Sequence, residues 1–390
     1  MASEAVHAVT PSNRWNLGRL APPLRLESEE LLHLDTLRLI ASYAIVISHF
    51  KLMAHAWPGA EVYFENIQSM NVFVDVFFVV SGIVVTFVYH NRMQSLSQYK
   101  DFLRKRGARL VPLHWLTLLF YVALALAGAS MGDAAAHSAK YDWGCLVPNF
   151  LAIHAFGVCQ ALSFNNVSWS ISAELGLYVL FPITLLIIGR RPRIGLALAL
   201  GLAIGLFAFD NAAYGKTIWT ERTYDFGVVR ALPGFVLGMS AFGCRDWIRR
   251  LPAAQLIFAV LLVLLFMGCL LGWPKVALLP LAYATPLAGY AADQRKAAGR
   301  LVRLLAFGGI LTYSLYMIHP LVGVVFIKLI GIRLLGLSGT SLNAWIVFWM
   351  FSLMPIAYAS YVWFERPLRR WLSGARTASK PDISVVGGVG

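Results

Sequence analysis

The chain has 390 residues, of which 58% are hydrophobic and only 13% are charged. A soluble domain carries roughly a quarter charged residues, so this composition excludes an ordinary soluble protein. The net charge of +14 would suit a nucleic-acid partner, but most of the 33 Lys and Arg lie in alternate loops between apolar segments. This alternation is the positive-inside pattern of membrane proteins, so the charge orients the chain and we expect no nucleic-acid partner.

Apolar runs of about 20 residues, long enough to cross a hydrocarbon core, recur along the chain. We expect an all-α, polytopic transmembrane helix bundle with about ten spans: 33–52, 72–90, 110–129, 167–188, 194–209, 226–243, 254–272, 275–291, 304–328 and 343–364. The positive-inside pattern predicts that both termini are cytoplasmic. The expected organisation is a cytoplasmic N-tail (1–30), a transmembrane domain (31–370) and a disordered cytoplasmic C-tail (371–390).

The first span, "LDTLRLIASYAIVISHF" (34–50), carries ionisable residues at both ends. Asp35 and Arg38 lie one turn apart at its inner end, where we expect an ion pair. His49 lies near its outer end. An ionisable residue inside a bilayer is costly and usually faces a bundle interior or a watery cavity. His49 is therefore a candidate for function.

Four other spans place polar residues at a depth similar to that of His49. They are Asp75 in the second span, Glu174 in the fourth, Arg230 in the sixth, and Tyr316 with His319 in the ninth. A lone buried histidine is usually a hydrogen-bonded core residue, whereas several ionisable groups at one level favour a site. Neighbouring residues are interpreted as packing or interfacial side chains: Ser81, Gly82, Trp169 and Tyr178.

A second polar group lies at the inner side, in "FLRKRGARLVP" (102–112). Arg106 and Arg109 are three residues apart, so they share one helical face, and Arg38 lies at the same level. Guanidinium groups in pairs bind phosphate bidentately. A positive-inside loop beside anionic lipid headgroups would show the same cluster, and spacing alone leaves both interpretations open.

The four cysteines show no metal-binding spacing with histidine, so we expect no metal site. Cys145 and Cys159 share the predicted outer loop 130–166, which allows a disulfide between them. No internal repeat is visible in the sequence.

In order and spacing, these motifs resemble those of the integral-membrane acyltransferase family called acyltransferase 3, over roughly residues 30–370. The first span is similar to the family's Asp-x-x-Arg…His helix, and "VDVFFVVSGIVVT" to its Asp-x-Phe-Phe-x-x-Ser-Gly helix. "RKRGARLVPLHW" resembles its Arg-x-x-Arg-x-x-Pro element, "VSWSISAELGLYVLFP" its Trp-Ser-x-x-x-Glu helix, and "YSLYMIHP" its Ser-x-Tyr-x-x-His helix.

The resemblance implies transfer of an acyl group, acetyl before succinyl, from acyl-CoA as a donor substrate, with no permanently bound cofactor. The donor phosphates would meet Arg106, Arg109 and Arg38. His49 would act as general base, or would relay the acyl group, since an imidazole titrates near neutrality. Asp75 or Glu174 would orient His49, as the third member of a triad does.

The implied acceptor is a sugar hydroxyl of a polysaccharide, a lipid-linked oligosaccharide or a glycoside, at a bacterial inner membrane among its lipids. Arg230, Tyr316 and His319 are the expected acceptor-binding residues. For Arg230 a structural salt bridge is an equal alternative. A transporter or flippase of a lipid-linked glycan would also bury charges near the membrane centre, although such folds often contain internal repeats.

Overall fold

The structure is a computed structural model that describes residues 30–49, 65–130, 139–189, 191–215, 219–296 and 298–374. Within those ranges every regular element is a helix and no strand occurs, which confirms the all-α prediction. The predictions for the N-tail and the C-tail concern residues that lie almost wholly outside the described ranges.

We label the α-helices of eight or more residues in chain order. The first six are α1 Leu32–Ser48, α2 Phe73–Tyr89, α3 Leu96–Ser130, α4 Trp169–Ile188, α5 Pro192–Tyr214 and α6 Gly227–Gly243. The others are α7 Ala254–Leu270, α8 Lys275–Asp293, α9 Arg300–Gly309, α10 Thr312–Gly323, α11 Gly339–Ser360 and α12 Arg366–Ser373. Two π-helical segments, Val324–Leu334 and Tyr361–Glu365, extend α10 and join α11 to α12.

Six helical segments of the described chain are long and apolar enough to cross a membrane. They are Glu65–Tyr89, Leu96–Ser130, Asn166–Ile188, Pro192–Tyr214, Thr312–Leu334 and Gly339–Ser373. Segments of this length and hydropathy match the thickness of a hydrocarbon core. The larger number of about ten spans and the cytoplasmic position of the termini stay predictions.

The ninth predicted span, 304–328, is divided into two helices. α9 ends at Gly309, a turn follows at Ile310 and Leu311, and α10 begins at Thr312. α9 lies directly against α1, since a Cβ atom on Gly309 would collide with the backbone of Asp35. Because glycine has no side chain, it allows this close approach of two helices. The turn then carries α10 into the middle of the bundle.

The long helix α3 joins the basic inner segment to the third predicted span without a break. It contains both Arg106 and Arg109 and continues through Pro112. A proline inside a helix removes one backbone hydrogen bond, yet α3 keeps helical geometry on both sides of it. The two arginines are therefore held on a rigid element, as the sequence predicted, and not on a loose loop.

At the centre of the bundle α2 packs on α6, the most extensive helix pair in the described part of the chain. The contact is backbone to backbone. A Cβ on Gly82 would collide with the carbonyl oxygen of Phe235, and a Cβ on Gly238 with that of Val79. Small residues allow such approach, so the packing interpretation of Gly82 is confirmed. The neighbouring Ser81 points away from this contact, towards α4.

A disulfide between Cys145 and Cys159, with 5.6 Å between the two Cα atoms, closes part of the segment that joins α3 to α4. The same segment is held to α3 by a hydrogen bond from the indole of Trp115 to the carbonyl of Phe150, 2.8 Å. Disulfides persist in oxidising compartments, which agrees with the predicted outer position of this segment.

Candidate active site

Five helices, α1 to α4 and α10, surround a cavity with ≈ 770 Å³ of empty space, counting its mouth. Arg38 of α1 and Arg106 with Arg109 of α3 line it. Glu174 of α4 and Tyr316 of α10 also line it. The tertiary structure thus brings the predicted inner arginines and two of the predicted outer residues to one continuous space.

One face of α4 carries three polar side chains that line this cavity: Ser170, Glu174 and Tyr178. They are four residues apart, so they lie above one another on the helix. At 1.5 Å per residue, each step is about 6 Å along the axis. The three residues therefore mark three successive levels of the cavity.

At the innermost of these levels, Arg106 is buried among aromatic rings. Its side chain is 8% exposed, and its guanidinium carbon lies 5.0 Å from the ring centre of Tyr89, 5.9 Å from Phe102 and 5.5 Å from Tyr178. Its Nε atom has no hydrogen-bond partner. In the described part of the chain, no carboxylate forms an ion pair with it. A buried cation is normally paired, so this site has an unmatched positive charge.

Arg38, on the same cavity, is paired differently. Its Nη1 atom lies 3.2 Å from the Oδ1 atom of Asp35, so the predicted ion pair within the first helix is confirmed. Both side chains are partly exposed, at 18% and 22%. The pair holds the Arg38 guanidinium on the wall of the cavity, which Arg109 lines as well.

At the middle level, Glu174 accepts two hydroxyl hydrogen bonds on one oxygen. The Ser81 hydroxyl donates to Oε1 of Glu174 at 2.8 Å, and the Tyr178 hydroxyl donates to the same atom. The two hydroxyls are themselves 3.2 Å apart. Ser81 and Tyr178 are thus cavity residues, a role that the packing and interfacial interpretation of the sequence missed. The four-residue spacing on α4 was the signal for Tyr178.

At the outer level, Tyr316 connects α10 to the start of α4. Its hydroxyl lies 2.8 Å from the Ser170 hydroxyl and donates to the carbonyl of Val167 at 2.9 Å. Its ring lies beside that of His319, with 6.1 Å between ring centres. Tyr316, which lines the cavity, is therefore the neighbour of His319, while neither His319 nor His49 lines the cavity itself.

The two histidines predicted on different helices form a pair. Nε2 of His319 lies 3.4 Å from Nδ1 of His49. Nδ1 of His49 also lies 2.8 Å from the carbonyl of Ile45, and Nδ1 of His319 lies 2.8 Å from the carbonyl of Tyr316. A carbonyl only accepts, so both Nδ1 atoms carry the proton. His49 is half-buried and its unprotonated Nε2 has no hydrogen-bond partner among the described residues.

Asp75 and Arg230, both predicted site residues, bind each other. The guanidinium donates to the two carboxylate oxygens at 3.1 and 2.7 Å, and both side chains are almost fully buried. Arg230 also lies 5.1 Å from the Trp169 ring centre. Of the two alternatives for Arg230, acceptor binding and a structural salt bridge, the structure shows the salt bridge. For Asp75 it places the carboxylate on Arg230 and not on His49, because the bidentate pair satisfies both oxygens.

Neither carboxylate proposed as the partner of His49 contacts it. Asp75 is bound to Arg230 and Glu174 to Ser81, and the described neighbours of the His49 ring are Ile45, Ser48 and His319. The carbonyl of Ile45 is the closest acceptor for Nδ1 of His49, and His319 is the ionisable side chain beside it, at 3.4 Å. Sequence spacing could not identify this neighbour, because the two histidines are 270 positions apart.

Comparison with known proteins identifies the family of the chain. The profile of a family described as an acyltransferase domain, acyltransferase 3, matches residues 31–364. The chain belongs to the acyltransferase 3 family. Since six helices among the described residues are able to cross a membrane, this acyltransferase 3 protein is an integral membrane protein.

Two curated proteins are similar to this acyltransferase 3 chain. The acyltransferase MdmB of Streptomyces mycarofaciens is 26% identical over 176 residues, which is 44% of this chain and 42% of that protein. The chain thus spans less than half of that relative. The exopolysaccharide production protein ExoZ of Rhizobium meliloti (strain 1021) is 28% identical over 331 residues, covering 76% of this chain and 89% of ExoZ. No solved structure matches the chain.

Proposed function

We propose that this protein moves an acyl group, acetyl before any other, from cytoplasmic acyl-CoA to a sugar hydroxyl of an exported or envelope polysaccharide or glycolipid. The observation that carries the proposal is the unmatched charge of Arg106. It lies on a cavity that runs past Glu174 to Tyr316, next to the pair formed by His49 and His319.

The inner end of the cavity has the chemistry for the phosphates of the donor. Arg106, Arg109 and Arg38 line it together, and the guanidinium of Arg106 has no acidic partner among the described residues. Charge-assisted hydrogen bonds from guanidinium to phosphate are short and strong. An anion bound here would neutralise a cation that is otherwise buried without compensation. The thioester arm would then extend along the cavity towards Tyr316.

The histidine pair has the geometry for proton transfer. Nε2 of His49 takes the proton of the acceptor hydroxyl while the hydroxyl oxygen forms a bond to the acyl carbon. The bond between that carbon and sulfur breaks, and the imidazolium returns the proton to the departing thiolate. His319 accepts a hydrogen bond from Nδ1–H of His49, which supports the tautomer with a free Nε2.

The carbohydrate acceptor rests on the relative named for exopolysaccharide production, which aligns with three quarters of this chain. A disulfide-bonded segment on the side of His49 supports an acceptor that arrives from an oxidising compartment. A bacterial inner membrane, with acyl-CoA on one face and the growing glycan on the other, fits both features.

The donor site is tested with Arg106→Ala combined with Arg109→Ala in the purified protein. Each lost contact to phosphate should weaken acetyl-CoA binding by about 1.5–3 kcal/mol, since the contacts are charge-assisted. Arg106→Lys tests the planar guanidinium separately, because lysine keeps the charge and loses the bidentate fork.

The matched control is Arg249→Ala combined with Arg250→Ala, which removes the same charge from a segment that does not line the cavity. Binding is measured by calorimetry, and thermal unfolding checks that each variant is folded. Normal acetyl-CoA binding by the folded double variant would refute the donor site. Glycan export without any acyl transfer by the wild type would favour a transporter.

A further inference from the structure

The carboxylate of Glu174 is satisfied on one side only. Its Oε1 atom accepts from the hydroxyls of Ser81 and Tyr178, whereas Oε2 has no hydrogen-bond partner among the described residues. Glu174 is only half-buried and lines the cavity. The free lone pairs of Oε2 are therefore available to whatever occupies that space.

Two hydroxyl donors on one oxygen define what the other oxygen can bind. An ionised carboxylate only accepts hydrogen bonds, so its complement is an N–H or O–H group. The two hydroxyls also hold the carboxylate in one orientation, since both come from helices, α2 and α4. A ligand without a donor at this level would leave a desolvated carboxylate oxygen unpaired, which is unfavourable.

The position of Glu174 along the cavity indicates which part of a bound ligand would contact its carboxylate. Tyr178, which contacts the Arg106 guanidinium, lies about 6 Å further in along α4, and Ser170, which contacts Tyr316, lies about 6 Å further out. Glu174 thus lies between the cationic end and the end near the histidine pair. The remaining wall at this level is apolar and includes Val80, Val84 and Ile171.

A largely apolar passage with one fixed acceptor, between a proposed phosphate site and a proposed reaction site, fits a flexible chain that carries an amide. We propose that Glu174, held by Ser81 and Tyr178, is a subsite for an amide N–H of the pantetheine arm of the thioester donor. The subsite rests on the proposed function, since it requires an acyl thioester of pantetheine in the cavity. Glu174 thereby selects pantetheine thioesters over thioesters without an amide.

The experiment is a double-mutant cycle between Glu174 and the donor. The variant is Glu174→Gln, whose amide oxygen still accepts from Ser81 and Tyr178, so that its NH₂ group replaces Oε2. S-acetyl-pantetheine is compared with two analogues, in each of which one amide N–H is replaced by an ester oxygen of the same shape. Each compound is measured as a competitor of acetyl-CoA in the acyl-transfer reaction.

With the wild type, one of the two analogues should bind about 10- to 100-fold more weakly than S-acetyl-pantetheine, the effect of one hydrogen bond to a charged group. With Glu174→Gln, S-acetyl-pantetheine should weaken by a similar factor. The difference between that analogue and its parent should disappear, because neither now makes the bond. The loss should appear in KM and in the competition constant, with kcat changed little.

Glu221→Gln is the matched control, since Glu221 pairs with Lys275 away from the cavity. It should preserve the preference for the amide compounds. Equal binding of all three compounds to the wild type would overturn the subsite while acyl transfer itself continued. A loss in kcat alone for Glu174→Gln, the same with every donor, would also overturn it and give Glu174 a role in catalysis. A wild type that transferred nothing from acetyl-CoA would overturn the proposed function together with the subsite.

Discussion

In the part of the chain that the structure describes, two pairs of histidine rings lie side by side, and their surroundings differ. His49 and His319 meet edge to face, with 5.0 Å between ring centres and 62° between ring planes. His114 and His154 are stacked almost parallel, with 5.8 Å between ring centres and 10° between ring planes. The first pair joins α1 to α10, and the second joins α3 to the disulfide-bonded segment.

The two pairs differ in the hydrogen bonds of their Nε2 atoms and in the exposure of their rings. In the stacked pair Nε2 of His114 donates to the carbonyl of Asn149 at 2.7 Å, and Nε2 of His154 lies 3.1 Å from the Ser168 hydroxyl. Both rings are buried, at 1% and 4% exposure, so neither can meet a substrate.

The surroundings of the stacked pair determine the protonation of His154. Burial, and then the neighbouring His114 ring, lower the pKa of His154 to about 3, so His154 stays neutral at physiological pH. His49 is only half-buried, and its Nε2 has no hydrogen-bond partner among the described residues. The two pairs therefore differ in one ring: His49 is partly exposed, whereas His319, His114 and His154 are buried. That exposed ring separates a candidate proton-transfer site from a structural contact.

The largest expected effect is the loss of acyl transfer in His49→Ala. Removal of a general base costs roughly 10²- to 10⁴-fold in rate, and donor binding should persist because the arginines lie at the other end of the cavity. His49→Gln should fail as well, because glutamine does not titrate. Activity of the wild type should rise with pH as the imidazole loses its proton. Glycan acylation is measured at matched expression, and near-normal transfer by His49→Ala would make this pair structural.

The stacked pair should make the fold sensitive to acid. The unfolded state of His154 binds its proton near the ordinary pKa of about 6.5, and the folded state near 3, so folding stability is complete above the first value and falls as pH decreases towards the second. The upper limit of this effect is several kcal/mol, at about 1.4 kcal/mol per pKa unit.

His154→Gln should remove that part of the acid dependence. Thermal unfolding of the wild type and the variant, each from pH 7 to pH 4, gives the difference. The variant starts from a lower stability at neutral pH, because the stacking contact is lost, but its slope with pH should be smaller. Equal slopes would mean that His154 is protonated in the folded protein.

A somewhat smaller loss of stability is expected when the disulfide that closes the loop around His154 is removed. Cys145 and Cys159 are 14 positions apart, and closing a loop of that size stabilises a fold by about 3 kcal/mol. Cys145→Ser combined with Cys159→Ser should lower the thermal midpoint and leave donor binding unchanged. Cys244→Ser is the control, since Cys244 is free. Identical thermal midpoints for the double variant and for Cys244→Ser would show that the disulfide adds nothing to stability.

The smallest effect belongs to His319→Gln. It removes the acceptor of one long hydrogen bond, 3.4 Å, from Nδ1 of His49, while Ile45 still accepts from the same atom. A neutral hydrogen bond contributes about 1 kcal/mol, so we expect roughly a fivefold loss of rate. The pH–rate profile should shift as well, which a merely structural substitution would not cause. An unshifted profile would exclude an orienting role.

Much of the fold and part of the site could be predicted from local sequence. Apolar runs identified the helices, and a three-residue separation identified the ion pair between Asp35 and Arg38 and the shared face of Arg106 and Arg109. These predictions hold because a helix places residues three and four positions apart on one side, whatever surrounds it. The spacing of Ser170, Glu174 and Tyr178 carried the same kind of information.

Only the tertiary structure decided which of these helices meet and by which face. It joined His49 to His319 across 270 positions and Asp75 to Arg230 across 155, and so placed a histidine and not a carboxylate beside His49. The physical reason is that pairing between helices depends on their mutual rotation and distance. Rotation and distance are set by contacts such as that of Gly82 in α2 with the backbone of Phe235 in α6, where the absence of a side chain lets the two backbones approach closely.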